Sequence, residues 1–402
     1  MELIITALFG LESLVREDLE AIGYAPTDIA VHDGAVILTV PDTDIASAVA
    51  RVNLWVRRGE RVLVSAGVFD AQTFDEFFDG ISMIRWEDFI PESYAFHVDG
   101  YSRKSKLFAI PACQGVCKKA IVKRLLRARG RSETARLNED PTVGIVKISF
   151  GIVSDRVRMM IDTSGDPLHK RGYRPTAGAA PLRETLAAGL VSLSRYTPYE
   201  KEALVDPFCG SGTIVIEAAM LGHQIAPGLK RAFRAERWPV VGKEAFNYAR
   251  EEARSRIIRS TGGEICFFGS DVDSQAIDTA LSNAAAAGVS DYVRFVVADA
   301  SAQTPEALRE WTGYDRQLII ANPPYGERMQ TPQESAEIFA RIASTYLDAQ
   351  GYCRDGIRLS VISPSDTFEE AAMRRADKRR KLYNGEICCQ MTHYFRRAGD
   401  RR

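Results

Sequence analysis

The chain has 402 residues, of which 46% are hydrophobic and 26% charged, with a formal net charge of -1. That composition suits two or three packed domains and excludes a disordered or wholly polycationic chain. No run approaches the roughly 20 apolar residues a membrane-spanning helix needs, and the start, Met1 to Ile5, reads as a strand rather than a signal peptide, so a cytoplasmic protein is expected.

The first 50 residues read as a small α+β unit. Glu2 to Ala7 is an apolar strand, Leu11 to Ile22 carries a helical period, Ala35 to Val40 is a strand, and a second helix opens after Pro41. The pattern continues over residues 51–162. Strands are expected at Arg61 to Val68 and Tyr94 to Gly100, and a helix at Phe74 to Ile81. The polar loop Ser102-Arg103-Lys104-Ser105 follows, then a helix from Gly115 to Arg129. A hairpin closes the region with Lys147 to Val153 and Arg156 to Asp162.

Charge is patterned although the total is neutral. Lys118 to Arg136 holds eight Lys and Arg against one acid, Glu133, and a second basic cluster runs from Arg374 to Lys381. Such local faces suit an anionic partner, with Lys119, Lys123 and Arg127 as candidate RNA-binding residues. A solvated helix face explains the same pattern equally well. The seven cysteines lack zinc spacing and read as reduced, packed thiols, so no metal site is expected.

Ser164 to Pro181 is rich in Gly, Pro and basic residues and marks a domain boundary at its start. Beyond it, helices alternate with apolar strands at Ala203–Val205, Ile265–Phe268, Val293–Val297, Leu318–Ala321 and Ile357–Ile362. This predicts a doubly wound parallel sheet covered by helices on both faces. The expected divisions are 1–50, 51–162 and 163–402.

Four motifs fall at the ends of those strands, where such sheets bind ligands. The first is Asp206-Pro207-Phe208-Cys209-Gly210-Ser211-Gly212-Thr213. It lacks the Lys of a phosphate-binding loop, and Val215 stands where a dinucleotide fold needs its third glycine. The carboxylate of Asp206 would repel a pyrophosphate but suits the sulfonium and ammonium of S-adenosylmethionine. Asp206, Cys209, Gly210, Gly212 and Thr213 are therefore candidate cofactor residues. Asp271 and Asp299, at the next two strand ends, are placed to accept from ribose hydroxyls and from an adenine amino group, although each also reads as a helix cap. The distance from the glycine turn to Asp271 exceeds the usual spacing, so residues 223–260 must form an insertion with a helix of its own.

The fourth motif is Asn322-Pro323-Pro324-Tyr325. Two prolines after a strand fix a rigid loop. An amino nitrogen conjugated to a base is a poor nucleophile until it becomes pyramidal. The Asn322 side-chain oxygen and the Pro323 carbonyl are suited to accept its two N–H groups, and Tyr325 to stack a flipped base. Asn322, also assigned to the cofactor side, Pro323 and Tyr325 are the candidate catalytic residues.

These residues resemble the class I methyltransferases with an N-P-P-Y motif. Leu168 to Arg174, Ala180 to Ala187, Asn53-Leu54-Trp55 and Lys381 to Gly385 resemble the THUMP-domain guanine-N2 RNA methyltransferases. The resemblance spans nearly the whole chain. It implies a ferredoxin-like N-terminal unit, a THUMP RNA-binding domain and a Rossmann-like methyltransferase domain. It further implies S-adenosylmethionine as cofactor and guanine N2 of 23S ribosomal RNA as target. Adenine-N6 methylation of RNA or DNA uses the same chemistry and stays open, as does a non-catalytic RNA-binding assembly factor. Oligomeric state and target nucleotide are not encoded legibly.

Overall fold

The computed structural model describes residues 1–174, 182–197, 201–259, 266–324, 332–364, 367–385 and 387–397. Among these, the first half of the chain comprises β1 (Glu2–Ala7), α1 (Glu12–Ala21), β2 (Ile29–His32), β3 (Ala35–Thr39), α2 (Ile45–Trp55) and β4 (Gly59–Asp70). It continues with α3 (Phe74–Met83), β5 (Tyr94–Arg103), α4 (Ile110–Ala128), β6 (Asp140–Val153) and β7 (Arg156–Asp162). The second half comprises α5 (Glu184–Leu193), β8 (Glu202–Asp206), α6 (Thr213–Gly222), α7 (Gly242–Ser255), β9 (Phe267–Asp271), α8 (Ser274–Ala287), β10 (Val293–Val297) and α9 (Pro305–Thr312). It ends with β11 (Arg316–Ala321), α10 (Pro332–Tyr346), β12 (Ile357–Pro364), α11 (Thr367–Ala371), β13 (Lys378–Asn384) and β14 (Ile387–Tyr394).

The chain forms two compact units. One contains Met1–Ala7, Val15–Leu168 and Arg231–Glu252, and the other contains Leu8–Leu14, His169–Lys230 and Ala253–Arg402. The insertion expected at residues 223–260 does carry its own helix, α7. The structure adds that its central part returns to the first unit. Trp238, almost fully buried, packs edge-on against Phe89 at 5.9 Å, and Arg51 donates to Glu252 through Nε and Nη2 at 2.9 and 3.0 Å.

The first unit is built on a sheet of order β2-β3-β1-β4-β7-β6-β5. Only β5 and β6 pair in parallel, joined by the crossover helix α4, which buries Cys113, Cys117, Ala120, Ile121, Leu125 and Leu126 at helical spacing. A fully buried polar cluster ties α2 to β4. Asn53 donates to the Val49 carbonyl (2.9 Å) and to Thr163 Oγ1 (2.8 Å), and accepts from Ser164 Oγ (2.7 Å). Those two hydroxyls in turn bind the backbone of Val62. Every buried polar atom of this group has a partner, which is what allows it to sit in a core.

The second unit has a sheet of order β10-β9-β8-β11-β12-β14-β13. β8 to β12 are mutually parallel, and β14 and β13 form the antiparallel edge. The expectation of a parallel sheet is thus corrected to a mixed one. The basic run from Arg374 to Lys381 is the approach to and start of β13. It is largely engaged there: Arg374 pairs with Asp377, Arg379 with Glu369 at 3.3 Å, and Arg380 donates to the Gly10 carbonyl. Its charge therefore serves packing at the sheet edge, and its strand period is hidden by the cations. β8, β11 and β12 are buried on both faces, as central strands of a helix-covered sheet should be.

Replacing Asn53 with Ala should strip the buried hydroxyls of Thr163 and Ser164 of a shared partner and lower stability by about 2–4 kcal/mol. Urea denaturation should show the midpoint fall at constant slope, and an unchanged midpoint would mean that the cluster contributes nothing net.

Candidate active site

All the sequence-predicted cofactor residues lie in the second unit at the C-terminal ends of its parallel strands. β8 ends at Asp206, and the chain then turns through Gly210 and Gly212, with φ of 50° and 80°. That left-handed conformation strains any residue with a Cβ. At Gly212 space also forbids one, because a methyl group would lie 2.9 Å from the Phe295 ring. α6 then begins at Thr213. The turn is pinned from the neighbouring strand: Cys209 N–H donates to the Ser270 carbonyl (2.9 Å), and Gly210 N–H donates to Asp271 Oδ2 (2.9 Å).

Two carboxylates face this turn. Asp206 is almost fully buried, and the N–H of Phe208, 3.1 Å away, donates to it. Burial, with the nearby negative charge of Asp271 adding to it, pushes its carboxyl up to about 8. Asp271 is half-buried and also accepts from Asp273 N–H at 3.1 Å, which leaves each carboxylate oxygen room for another donor. No described Lys or Arg forms an ion pair with either acid within 4.0 Å. Two acids without a partner cation are suited to a cationic ligand.

Asp299 is brought to the same edge, since Val297 pairs in register with Asp271. It is exposed and caps a short turn, accepting from Ser301 N–H and Oγ, both at 2.8 Å, and these bonds hold its carboxyl below the usual range. Asp273, not Asp271, is the cap of α8. Beside the two acids, Val272 and Val297 are 67% and 51% exposed. Apolar side chains left open next to hydrogen-bond acceptors fit a flat ring with polar edges. Neither valine is among the sequence-predicted residues, although for Val272 an apolar residue directly after a strand-end acid is an available signal.

Asn322 follows β11 directly. Its side-chain oxygen is buried and accepts no hydrogen bond from any described residue. Buried acceptors are usually satisfied, so this oxygen is open to a further donor. Pro323 and Pro324 follow it, and Tyr325 lies outside the described residues.

Arg174 is a further residue that the motifs do not reveal. Its guanidinium donates to Thr213 Oγ1 at 2.5 Å and pairs with Glu184 at 3.5 Å, which puts a cation at the start of α6. There it reinforces the positive end of the helix and suits a carboxylate. The neighbouring Arg171 is fully buried against Glu217 (3.3 Å), to which Tyr173 also donates at 3.3 Å, so the segment is fixed by a paired charge. The available signal is the run Lys170-Arg171-Gly172-Tyr173-Arg174, three cations in a segment otherwise read only for its resemblance.

In the first unit, Lys119, Lys123 and Arg127 lie one turn apart along α4 and keep their charged ends in solvent. Lys123 pairs with Glu133 at 3.1 Å, while Lys119 and Arg127 form no ion pair among the described residues. Among the described residues no cluster of His, Cys, Asp or Glu could hold a metal ion.

The family model of the RMKL-like methyltransferase domain matches residues 171–393, more than half of the chain. The chain belongs to this methyltransferase family. The RlmL ferredoxin-like model matches residues 2–63 and the THUMP model residues 71–140, so the N-terminal region is of the ferredoxin-like plus THUMP kind. The chain is 36% identical over its whole length to a Bacillus subtilis protein bearing the provisional name RNA methyltransferase YpsC, 97% of which is covered. It is 33% identical over 397 residues to the ribosomal RNA large subunit methyltransferase K/L of Aliivibrio fischeri, and spans about half (52%) of that protein's length. Two solved structures are similar along almost the whole chain. One, from Listeria monocytogenes, is described as a predicted N6-adenine-specific DNA methylase (TM-score 0.84, 36% identity, 98% of this chain and 96% of that one). The other is a methyltransferase complexed with SAH (TM-score 0.83, 33% identity, 98% of both chains).

A titration follows from the buried acid. Its carboxyl holds a proton in the folded chain up to about pH 8 and loses it near 3.8 when unfolded. Between those values the folded state binds the extra proton, so this group's contribution to stability falls as pH rises. Asp206→Asn should therefore gain on the wild type by about 1.4 kcal/mol per pH unit from pH 5 towards 8, and level off above. Urea titrations at several pH values check this, and a difference independent of pH would show that Asp206 titrates normally.

Proposed function

We propose that this chain transfers a methyl group from S-adenosylmethionine to an exocyclic amino nitrogen in structured RNA, with guanine N2 of large-subunit ribosomal RNA as the target. The observation that carries the reading is the buried, unpartnered oxygen of Asn322, at a strand end one strand away from a glycine turn floored by the uncompensated Asp206. The donor set fits the cofactor. Asp206 suits its cationic groups, the turn from Cys209 through Gly210 and Gly212 to Thr213 allows close approach, and Arg174 suits its carboxylate. Asp271 suits the ribose hydroxyls, and Asp299 with the two open valines suits the adenine. Bound there, S-adenosylmethionine supplies an electrophilic methyl group.

The chain's own residues prepare the nucleophile. Asn322 Oδ1 and the Pro323 carbonyl accept the two N–H groups of the base, and these bonds strengthen as the nitrogen becomes pyramidal and positive. An acceptor fixed in advance for developing charge lowers the barrier without reorganising. Tyr325 stacks the extruded base. In this reading residues 1–50 and 51–162 bring the RNA, residues 163–402 carry the chemistry, and Lys119, Lys123 and Arg127 hold phosphates. A ribosomal substrate implies the cytoplasm, and no described helix is long and apolar enough to cross a membrane.

Adenine N6 is the second reading. The motif presents the same two acceptors to either base, and the Listeria relative is described as an adenine methylase. The deciding experiment is methylation of ribosomal RNA from a strain lacking this gene, followed by nucleoside mass spectrometry. N2-methylguanosine is expected, and N6-methyladenosine would transfer the reading to adenine. In single-turnover assays Asn322→Ala should lose on the order of 100-fold in rate with both ligands still bound. Tyr325→Phe should keep most activity, and Tyr325→Ala should not. Near-normal turnover in Asn322→Ala would remove Asn322 from the chemistry, and no methyl transfer by the wild type would revive an RNA-binding assembly factor.

Neutralising Lys119, Lys123 and Arg127 together should weaken RNA binding and flatten its salt dependence. The slope of log affinity against log salt should fall by about 0.7–0.9 for each phosphate that is no longer neutralised. Cofactor affinity should not move. An identical salt slope in the triple variant would take this face of α4 away from the RNA.

A further inference from the structure

The basic run at the edge of the second unit's sheet is not wholly engaged in packing. Lys378 of β13 lies in register with His393 of β14, and His393 with Ser360 of β12, so the three side chains form one row across a single face. Arg358 stands two residues before Ser360, on that same face. His393 and Ser360 are buried, and Ser360 Oγ lies 2.9 Å from His393 Nδ1. The other ring nitrogen, Nε2, makes no hydrogen bond to a described residue. With Arg195 at the end of α5, these side chains line a cavity of about 310 Å³, within the size range of small-molecule sites. It lies towards the N-terminal ends of β11 and β12, at the opposite end of the strands from the glycine turn.

Charge around the cavity is one-sided. Glu202 is already bound by Arg358 through Nε (2.8 Å) and Nη2 (2.5 Å), with Arg316 3.9 Å away. Asp377, next to Lys378, is held by Arg374, by Arg396 at 3.6 Å and by two backbone N–H groups. Arg195 and Lys378 are exposed and form no ion pair among the described residues. Burial, with the charges of Lys378, Arg358 and Arg195 adding to it, pushes the His393 imidazole down to about 4, and no acid opposes them. Arg195 follows α5 at a φ of 52°, the left-handed position after a helix that glycine usually fills. Its side chain is thus held at the cavity against backbone strain. Leu193, Leu318 and the half-open Phe395 add an apolar wall.

We propose that this cavity binds a small phosphate monoester with an apolar or aromatic body. Near neutral pH such a group carries about -1.5 to -2 charges, which matches the two cations, Arg195 and Lys378, that have no acid. The arginine offers a planar fork for two phosphate oxygens and the lysine a point charge. With the Ser360 hydroxyl donating to Nδ1, His393 carries its ring proton on Nε2 and becomes a third donor. The apolar wall covers the body of the ligand. Inorganic phosphate leaves that wall in water, and a neutral ring leaves the charges unmet. The site is separate from the cofactor crevice and does not rest on the methyl-transfer reading.

The test is calorimetric titration of the full chain with phenyl phosphate, with saturating SAH present so that the cofactor crevice is filled. Phenyl phosphate should bind, inorganic phosphate should compete with it more weakly, and phenol should not bind. Arg195→Gln and Lys378→Gln should each weaken phenyl phosphate about tenfold or more, the loss expected for one hydrogen bond to a charged group. Lys378→Arg should keep most of the affinity. Arg294→Gln removes an exposed charge from β10, at the far edge of the same sheet, and should change nothing. That control separates a built site from net charge. An unchanged thermal midpoint and SAH affinity report that the variants fold. No binding of phenyl phosphate at millimolar concentration, binding only when SAH is absent, wild-type affinity in either glutamine variant of the cavity, or an equal loss in Arg294→Gln would each overturn the site while leaving methyl transfer intact.

Discussion

The second unit depends on one topological constraint: five strands run parallel, so their C-terminal ends open on a single edge. β8 lies between β9 on one side and β11 on the other, and the chain reaches these neighbours in opposite directions of the sheet. Loops leaving β8 and β11 must therefore diverge, and a crevice opens between them. The glycine turn, Asp271, Asp299 and Asn322 come from segments far apart in sequence. They meet because each ends a strand, not because any attracts another.

That crevice is electrostatically unfinished. Burying a carboxylate without a cation is costly, and Asp206 avoids the cost only by holding a proton. Arg171 and Glu217, one segment away, show the alternative, since there a buried acid is met by a buried base in the same chain. The contrast separates two uses of charge in one unit. The paired charges fix the entry to α5 and α6, whereas the unpaired ones are left for a ligand to complete.

Much of this is legible in the sequence. Val293–Val297 and Glu2–Ala7 occupy the expected residues, and α7 forms in the insertion that the long gap before Asp271 requires. These elements are readable because their ends are marked by Gly, Pro or Asp and their strands are mostly apolar. The ones that escape share a cause. β13 reads as a charge cluster because it opens on Lys378, Arg379, Arg380 and Lys381. A strand at a sheet edge needs backbone partners more than apolar side chains, so its composition conceals it. β2 is hidden in a similar way, being short and at the other sheet's edge. In the site, the acids and Asn322 stand out because chemistry names those residue types. Arg174, Val272 and Val297 do not, because their nearness to the glycine turn and the strand-end acids appears only in the fold.

The return of Arg231–Glu252 to the first unit has a bearing on how the chain is made. Trp238 fills space against Phe89, Arg237 donates to Tyr94 Oη at 3.2 Å, and Ala235 N–H donates to the Thr163 carbonyl at 3.0 Å. None of these three side chains and amides exists until α5, β8 and α6 have been synthesised after β7. The N-terminal unit therefore waits on the ribosome with a vacant hydrophobic notch while the first strand and helices of the next unit emerge. Its completion is a closure over long sequence separation, which is slow relative to local folding. The two units cannot mature one after the other like beads. Folding of the nascent chain is interleaved, and a stop anywhere between β7 and α7 leaves the first unit without its last piece.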